Sequence, residues 1–172
     1  MAQTEHSAIK AVMDLYGFAV DTQQWDLFDQ VFTKDVDADW GETAVWNNLE
    51  DFKRDFATYH AIFDGTHHVM TNLIADVRGD KATTVTYGHW LLVRYGSQGG
   101  DEWRGTGWYC DELVRTPDGW RISKRRSGLI RDWGNPGVMS PGGTVFNLKN
   151  QSLCDAAKKK EVPVLAHLLK KR

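Results

Sequence analysis

Two hydrophobic periods divide this chain, and their order constrains its fold more than any other feature. Up to about residue 63 the apolar residues recur at helical spacing, and beyond it they alternate. Ile9, Val12, Met13, Tyr16 and Val20 share one face of a first amphipathic helix. Asp21-Thr22-Gln23-Gln24 reads as a capping box, with Asp21 as N-cap and Gln24 at the third helical position. It opens a short second helix carrying Trp25, Phe28, Val31 and Phe32. Residues 36–40 alternate like a short strand. From Asn48 or Leu49 to about Phe63 the pattern is helical again, with Leu49, Phe52, Phe56, Tyr59 and Phe63 on one side. Asp64-Gly65-Thr66 is then a turn, and strands are predicted over 68–77, 82–95, 103–115 and 120–131. Arg78-Gly79-Asp80-Lys81 and Thr116-Pro117-Asp118-Gly119 carry the residues that tight turns need, and residues 96–101 form a Gly-rich polar loop.

Helices followed by long hairpin-linked strands imply an α+β domain, with helices packed on one face of a curved antiparallel sheet. Gly105 and Gly107 lie inside a strand and mark a bulge or bend. Asn135-Pro136-Gly137 through Pro141-Gly142-Gly143 breaks regular structure, and 148–160 can form a last helix. No repeat and no second core is visible. The reading is one domain over 1–134 and an extension over 135–172 that packs on the domain or on a neighbouring subunit.

The 172 residues suffice for one real core. A net charge of −2 gives no global field for nucleic acid or anionic membrane. The basic run Lys124-Arg125-Arg126 falls on a strand, where side chains alternate between faces, so it is not one patch. No apolar stretch reaches the roughly 20 residues that span a bilayer. The two cysteines, Cys110 and Cys154, make neither a disulfide framework nor a zinc motif. With no basic-then-apolar leader at the N-terminus, a reducing, cytoplasmic setting is expected. Eight tryptophans imply a roomy apolar pocket with aromatic walls.

Tyr16 and Asp21 at the end of the first helix, the segment Thr66-His67-His68-Val69-Met70-Thr71-Asn72, and Trp108-Tyr109-Cys110-Asp111-Glu112 leading into Asp118-Gly119-Trp120-Arg121-Ile122 together resemble one family. They look like the SnoaL-like branch of the nuclear-transport-factor-2-like superfamily over about residues 9–134. Within it the likeness runs to scytalone dehydratase, hexachlorocyclohexane dehydrochlorinase and bile-acid 7α-dehydratase. The resemblance implies a cone-shaped cavity with an Asp–His dyad, the Asp on Asp21 and the His on His68. It also matches the dehydratases' helix tyrosine to Tyr16 and an arginine near the end of the last strand to Arg131. A homo-oligomer is implied, a trimer before a dimer. Trp90 and Leu92, read as an apolar outer face, argue for the same cover.

The chemistry follows from these residue types. His68 is the expected general base, worth about 10²–10⁴-fold. Asp21 would hold its tautomer, although helix capping alone, worth about 1 kcal/mol, also explains an Asp there. Tyr16 would donate a hydrogen bond to a substrate oxygen or be a core tyrosine. His89 reaches the cavity only if its strand face is the inner one. His67 points away from His68. Trp108, Tyr59 and Phe56 are the expected substrate-contacting rings, with Trp40, Trp46, Phe63 and Trp133 as further wall candidates. Adjacent histidines diverge on a strand and no ligand spacing is present, so no metal is expected. No phosphate loop or nucleophile elbow offers a home to a cofactor. The expected function is cofactor-independent elimination, a dehydration of a small hydrophobic cyclic or polyketide-like substrate. Isomerisation or ring closure in the same cavity, and a noncatalytic small-molecule-binding module, are the alternatives.

Overall fold

The computed structural model describes residues 4–41, 43–140 and 148–171. Helix α1 spans Glu5–Asp21, and Thr4 caps it by accepting from Ser7 N at 3.2 Å. Its buried stripe is the expected one: Ile9, Val12, Met13, Tyr16 and Val20. Helix α2 spans Leu49–His60, capped by Asn48, whose side chain accepts from Asp51 N at 2.8 Å.

The capping box expected at Asp21 does not form. Residues Trp25–Gln30 make a 3₁₀ turn preceded by Gln24, whose side chain makes no capping hydrogen bond. Asp21 ends α1, and the chain reverses through Gln23, which takes a left-handed φ of 53°. The carboxylate turns to a strand instead, as described below.

Six strands follow: β1 Phe32–Gly41, β2 Ala44–Trp46, β3 Gly65–Arg78, β4 Lys81–Val93, β5 Glu102–Thr116 and β6 Gly119–Gly134. They form a curved, unclosed sheet in the order β2-β1-β6-β5-β4-β3. Every neighbouring pair is antiparallel except β1 with β6, which run parallel. The strands expected at 36–40 and 120–131 are longer than their alternation indicated, and they pair in parallel through a crossover. With α1 and α2, the concave face encloses a core of aliphatic and aromatic side chains.

Three irregularities set which residues face inward. A bulge lies between Thr71 and Ile74 of β3, where Asn72 takes a φ of 54°. Two more interrupt the β5–β6 pairing, at Thr106/Gly107 and Glu112/Leu113. Gly88, Gly105 and Gly107 clear a path for the Trp90 indole, because a Cβ on any of them would sit within 2.9 Å of that ring. Gly107 is the tightest, its added Cβ falling 2.2 Å from the Gly128 carbonyl oxygen. Trp90 and Leu92 thus point into the core and not outward, which removes the apolar outer face they were read to form.

The end of the chain packs on the convex face. Helices α3 (Leu153–Lys158) and α4 (Pro163–Leu168) bring Ala156, Val162 and Val164 against Val85, Trp108 and Cys110. Main-chain hydrogen bonds from Leu129 N to Lys149 O and from Gln151 N to Leu129 O tie residues 149–151 to β6. The break expected at Pro141-Gly142-Gly143 lies outside the described residues. No helix among the described residues is long and apolar enough to cross a membrane.

Gly107→Ala should lower the free energy of unfolding by about 1–3 kcal/mol through overpacking, measured by urea denaturation. Gly65→Ala, whose added Cβ meets nothing within 4 Å, should stay within about 0.5 kcal/mol of wild type.

Candidate active site

The C-terminal end of α1 approaches the start of β3 closely. Gly17 permits it, since a Cβ there would lie 3.3 Å from the His68 carbonyl oxygen. Asp21 then reaches His68 twice. Its Oδ2 accepts from the His68 backbone N–H at 2.8 Å, and its Oδ1 accepts from Nδ1 at 2.7 Å. Thr66 donates its hydroxyl to the same Oδ1 at 2.9 Å. One carboxylate therefore fixes both the strand and the ring of a single residue. Because a carboxylate only accepts, Nδ1 carries a proton, which leaves Nε2 as the ring nitrogen able to exchange one. Burial raises the Asp21 pKa, but the hydrogen bonds and charge of His68 and the donation from Thr66 outweigh it and hold the carboxyl below its usual range. An acid in the last turn opposes the helix dipole, so these donors are what keep it there.

His68 lines an inner cavity of about 70 Å³ together with Tyr16, Phe56, Tyr59, His60 and Tyr109. The indoles of Trp40, Trp46, Trp90 and Trp103 take up much of the wall. The tryptophans do not leave a roomy pocket, because they fill it. The cavity is smaller than the about 150 Å³ that accepts a benzene, so a ring can enter only if a lining side chain moves. Met139, unbranched and adaptable, and the half-buried Leu148 are among the lining side chains.

Beneath this cavity lies a group that sequence reasoning did not single out. Arg125 is fully buried and pairs bidentately with Asp111, Nε to Oδ1 at 2.7 Å and Nη2 to Oδ2 at 2.8 Å. Its guanidinium lies 4.3 Å from the Tyr16 ring centroid and 4.4 Å from that of Tyr109. Burial raises both phenols, with Tyr16 driven well above its ordinary value. Tyr109 is drawn part of the way back by the Arg125 charge and by hydrogen bonds from Tyr16, Trp40 and Trp90. Both remain neutral hydroxyls. The signal available in the sequence was parity: Asp111 and Arg125 are charged residues at inward positions of neighbouring strands, and they pair directly across β5 and β6.

The remaining expected residues separate clearly. Tyr59 and Phe56 line the cavity. His67 and His89 are exposed on the outer face. Trp108 is buried on the convex side, donating Nε1–H to Gln151 O at 2.9 Å. Arg131 pairs across from Thr106 and is exposed. The arginine that β6 turns inward is Arg125, while Lys124 and Arg126 face outward toward Asp37, Asp39 and Glu112. Phe63 is core, and Trp133 is 48% exposed.

Removing one partner of a buried pair strands a charge. Asp111→Leu should therefore cost about 3–5 kcal/mol, and the double variant with Arg125→Met should recover most of it, as a double-mutant cycle in urea would measure. A second expectation concerns acid. Burial pulls the His60 imidazole from 6.5 down to about 4. The unfolded chain then takes up that proton first. The contribution is complete above pH 6.5, declines between 6.5 and about 4, and is gone below. It amounts to about 3 kcal/mol, and His60→Phe should flatten that limb of the stability–pH curve.

A sequence profile of the SnoaL-like domain matches residues 2–126. An uncharacterized protein of Mycobacterium tuberculosis strain H37Rv is 31% identical over 111 residues, which cover 64% of this chain and 75% of that protein. Among solved structures, a protein of Kribbella flavida aligns with a TM-score of 0.72 at 23% identity, over 78% of this chain and 95% of its own. A hexachlorocyclohexane dehydrochlorinase of type 2 aligns with a TM-score of 0.66 at 20% identity, over 80% and 94%. A nuclear-transport-factor-2-like protein of Salmonella enterica gives 0.63 at 18% identity, over 72% and 89%. These structural likenesses carry the cone-shaped α+β fold. The profile match carries the family: the chain belongs to the SnoaL-like domain family.

Proposed function

We propose that the protein is a cofactor-independent lyase that dehydrates a small hydrophobic cyclic or polyketide-like substrate. One observation carries the reading: the 2.7 Å hydrogen bond from His68 Nδ1 to Asp21 Oδ1 at the wall of an apolar cavity. That bond occupies Nδ1 and leaves Nε2 as the atom that can act as the base, on a side chain only 7% exposed.

In this reading His68 Nε2 takes a proton from a carbon activated by a neighbouring carbonyl. The electrons of the broken C–H bond form the new C=C bond, and the C–O bond to the leaving hydroxyl breaks. Asp21 stays ionised throughout and stabilises the imidazolium, as the third member of a triad does. The imidazolium returns its proton to the departing hydroxide, which leaves as water. Tyr16 stands edge-on to His68, with ring centroids 6.2 Å apart. As a neutral phenol whose one proton goes to Tyr109 in the empty cavity, it turns that proton to the oxygen that carries developing charge when substrate is bound. Arg125 acts from behind, its positive charge stacked on the Tyr16 and Tyr109 rings. The name of the similar dehydrochlorinase denotes elimination chemistry, which agrees with this assignment.

On a substrate that the wild type turns over, His68→Ala should lower kcat/KM by about 10²–10⁴-fold with an unchanged far-ultraviolet circular dichroism spectrum. Asp21→Asn should fall in the same direction. Near-normal turnover by folded His68→Ala would remove the base assignment and favour a binding module.

A further inference from the structure

The last turn of α2 holds an imidazole where the apolar stripe calls for a hydrocarbon. Leu49, Phe52 and Phe56 are buried along one side of the helix, and His60 follows Phe56 by one turn. His60 is only 4% exposed. Its ring centroid lies 5.0 Å from Phe56, 5.2 Å from Tyr59, 5.3 Å from Trp25 and 5.8 Å from Phe63. A leucine or phenylalanine would fill this site without desolvating two ring nitrogens, so packing alone does not account for the residue.

One nitrogen is satisfied locally. His60 Nδ1 is 2.8 Å from the Phe56 carbonyl oxygen. A carbonyl only accepts, so Nδ1 bears the proton and Nε2 bears a lone pair. No protein group among the described residues is hydrogen-bonded to that lone pair. The ring lines the same cavity as His68 and Tyr16. The turn that carries it is held to the end of α1, because the Gln23 side chain donates to the His60 carbonyl oxygen at 3.2 Å. The imidazole is thus held at the cavity wall with one ring nitrogen left without a hydrogen-bond partner among the described residues. With its pKa drawn down to about 4, it keeps that lone pair at neutral pH.

We propose that His60 sets the specificity of the cavity, its Nε2 accepting a hydrogen bond from a hydroxyl carried on a ring of the ligand. The favoured ligands are then phenols and enols, and their O-methyl ethers are discriminated against. This rests on the reading of the cavity as a substrate site and adds to it a class of substrate. The roles are complementary. Tyr16 turns its proton from Tyr109 to the ligand, His68 removes one from carbon, and His60 accepts one from oxygen without taking it. His60 is a specificity residue here and performs no proton transfer.

Phenol and anisole are the probes, since O-methylation replaces the donor hydrogen with a methyl group; the His60→Leu comparison below separates the lost hydrogen bond from the added bulk. Four tryptophans, Trp40, Trp46, Trp90 and Trp103, line the cavity and report occupancy by fluorescence. Wild-type protein should bind phenol about tenfold more tightly than anisole, the factor lost when a buried acceptor goes unpaired. The ¹⁵N resonance of His60 Nε2 should move on phenol addition and stay in place with anisole, a readout that needs no variant. His60→Leu should bring the two affinities together while retaining anisole binding, and His60→Gln should keep part of the preference through its amide oxygen. His68→Ala should leave the preference intact. Equal affinities in the wild type, or a phenol preference that survives His60→Leu, would overturn the proposal. A His60-dependent preference in a protein whose His68→Ala form turns over normally would keep the specificity assignment and discard the base. Failure of both probes to bind the wild type would discard the cavity as a ring site and the specificity assignment with it.

Discussion

The buried pair of Arg125 and Asp111 is the interaction around which the rest of the structure is arranged. Its two charges have no solvent and must be satisfied within the protein. The carboxylate on β5 supplies the bidentate partner, and the faces of Tyr16 from α1 and Tyr109 from β5 supply the stack. Met13 of α1 adds its sulfur, 3.3 Å from Nη2. A helix, two strands and their relative register are therefore specified together. A slip of one residue in β6 would turn Arg125 to the outer face and strand Asp111 inside. The pair thus serves registry at least as much as stability, and it forms the base on which the two phenols stand.

On that base the dyad is built by a second constraint, the contact of α1 with β3. Gly17 lets the helix approach, and Asp21 closes the contact through three donors from Thr66 and His68. The carboxylate sits at the unfavourable end of its helix dipole. It stays ionised because those donors and the charge of His68 outweigh burial. The placement that weakens Asp21 as part of a helix is what makes it available to a strand. Gln23, in its left-handed conformation, then reaches the last turn of α2 and brings His60 to the same cavity wall.

The tryptophans and the chain end shape what surrounds the dyad. Inner-face glycines allow Trp90 to lie against the sheet, and its indole N–H donates to the Tyr109 hydroxyl at 2.9 Å. The C-terminal segment works on both faces. Met139 and Leu148 line the cavity, while α3 and α4 bury the outward side chains of β4 and β5. Cys110 lies under these helices, its thiol pushed up to about 12 mainly by burial, and takes no part in the site.

Much of this was legible along the chain, because local periodicity reports local structure. The change from helical to alternating spacing near residue 63 placed α1, α2 and the four long strands. The likeness around Asp21 and His68 named a pair that does meet. Alternation also separated His67 from His68, and Arg125 from Lys124 and Arg126. What the chain alone left undetermined was decided by contacts between distant segments. Asp21 has the residue type of a cap, and only the approach of β3 shows that its oxygens are engaged elsewhere. Alternation says that His89 and Trp90 face opposite ways without saying which is inside. The glycine-lined path for the indole decides it. Arg131 and Trp108 were placed one side wrong because bulges at Thr106/Gly107 and the helices on the convex face are tertiary events. The same holds for Arg125 with Asp111 and for His60. Each is a polar residue on an apolar stripe whose partner or lone pair has meaning only once the sheet has closed over the helices.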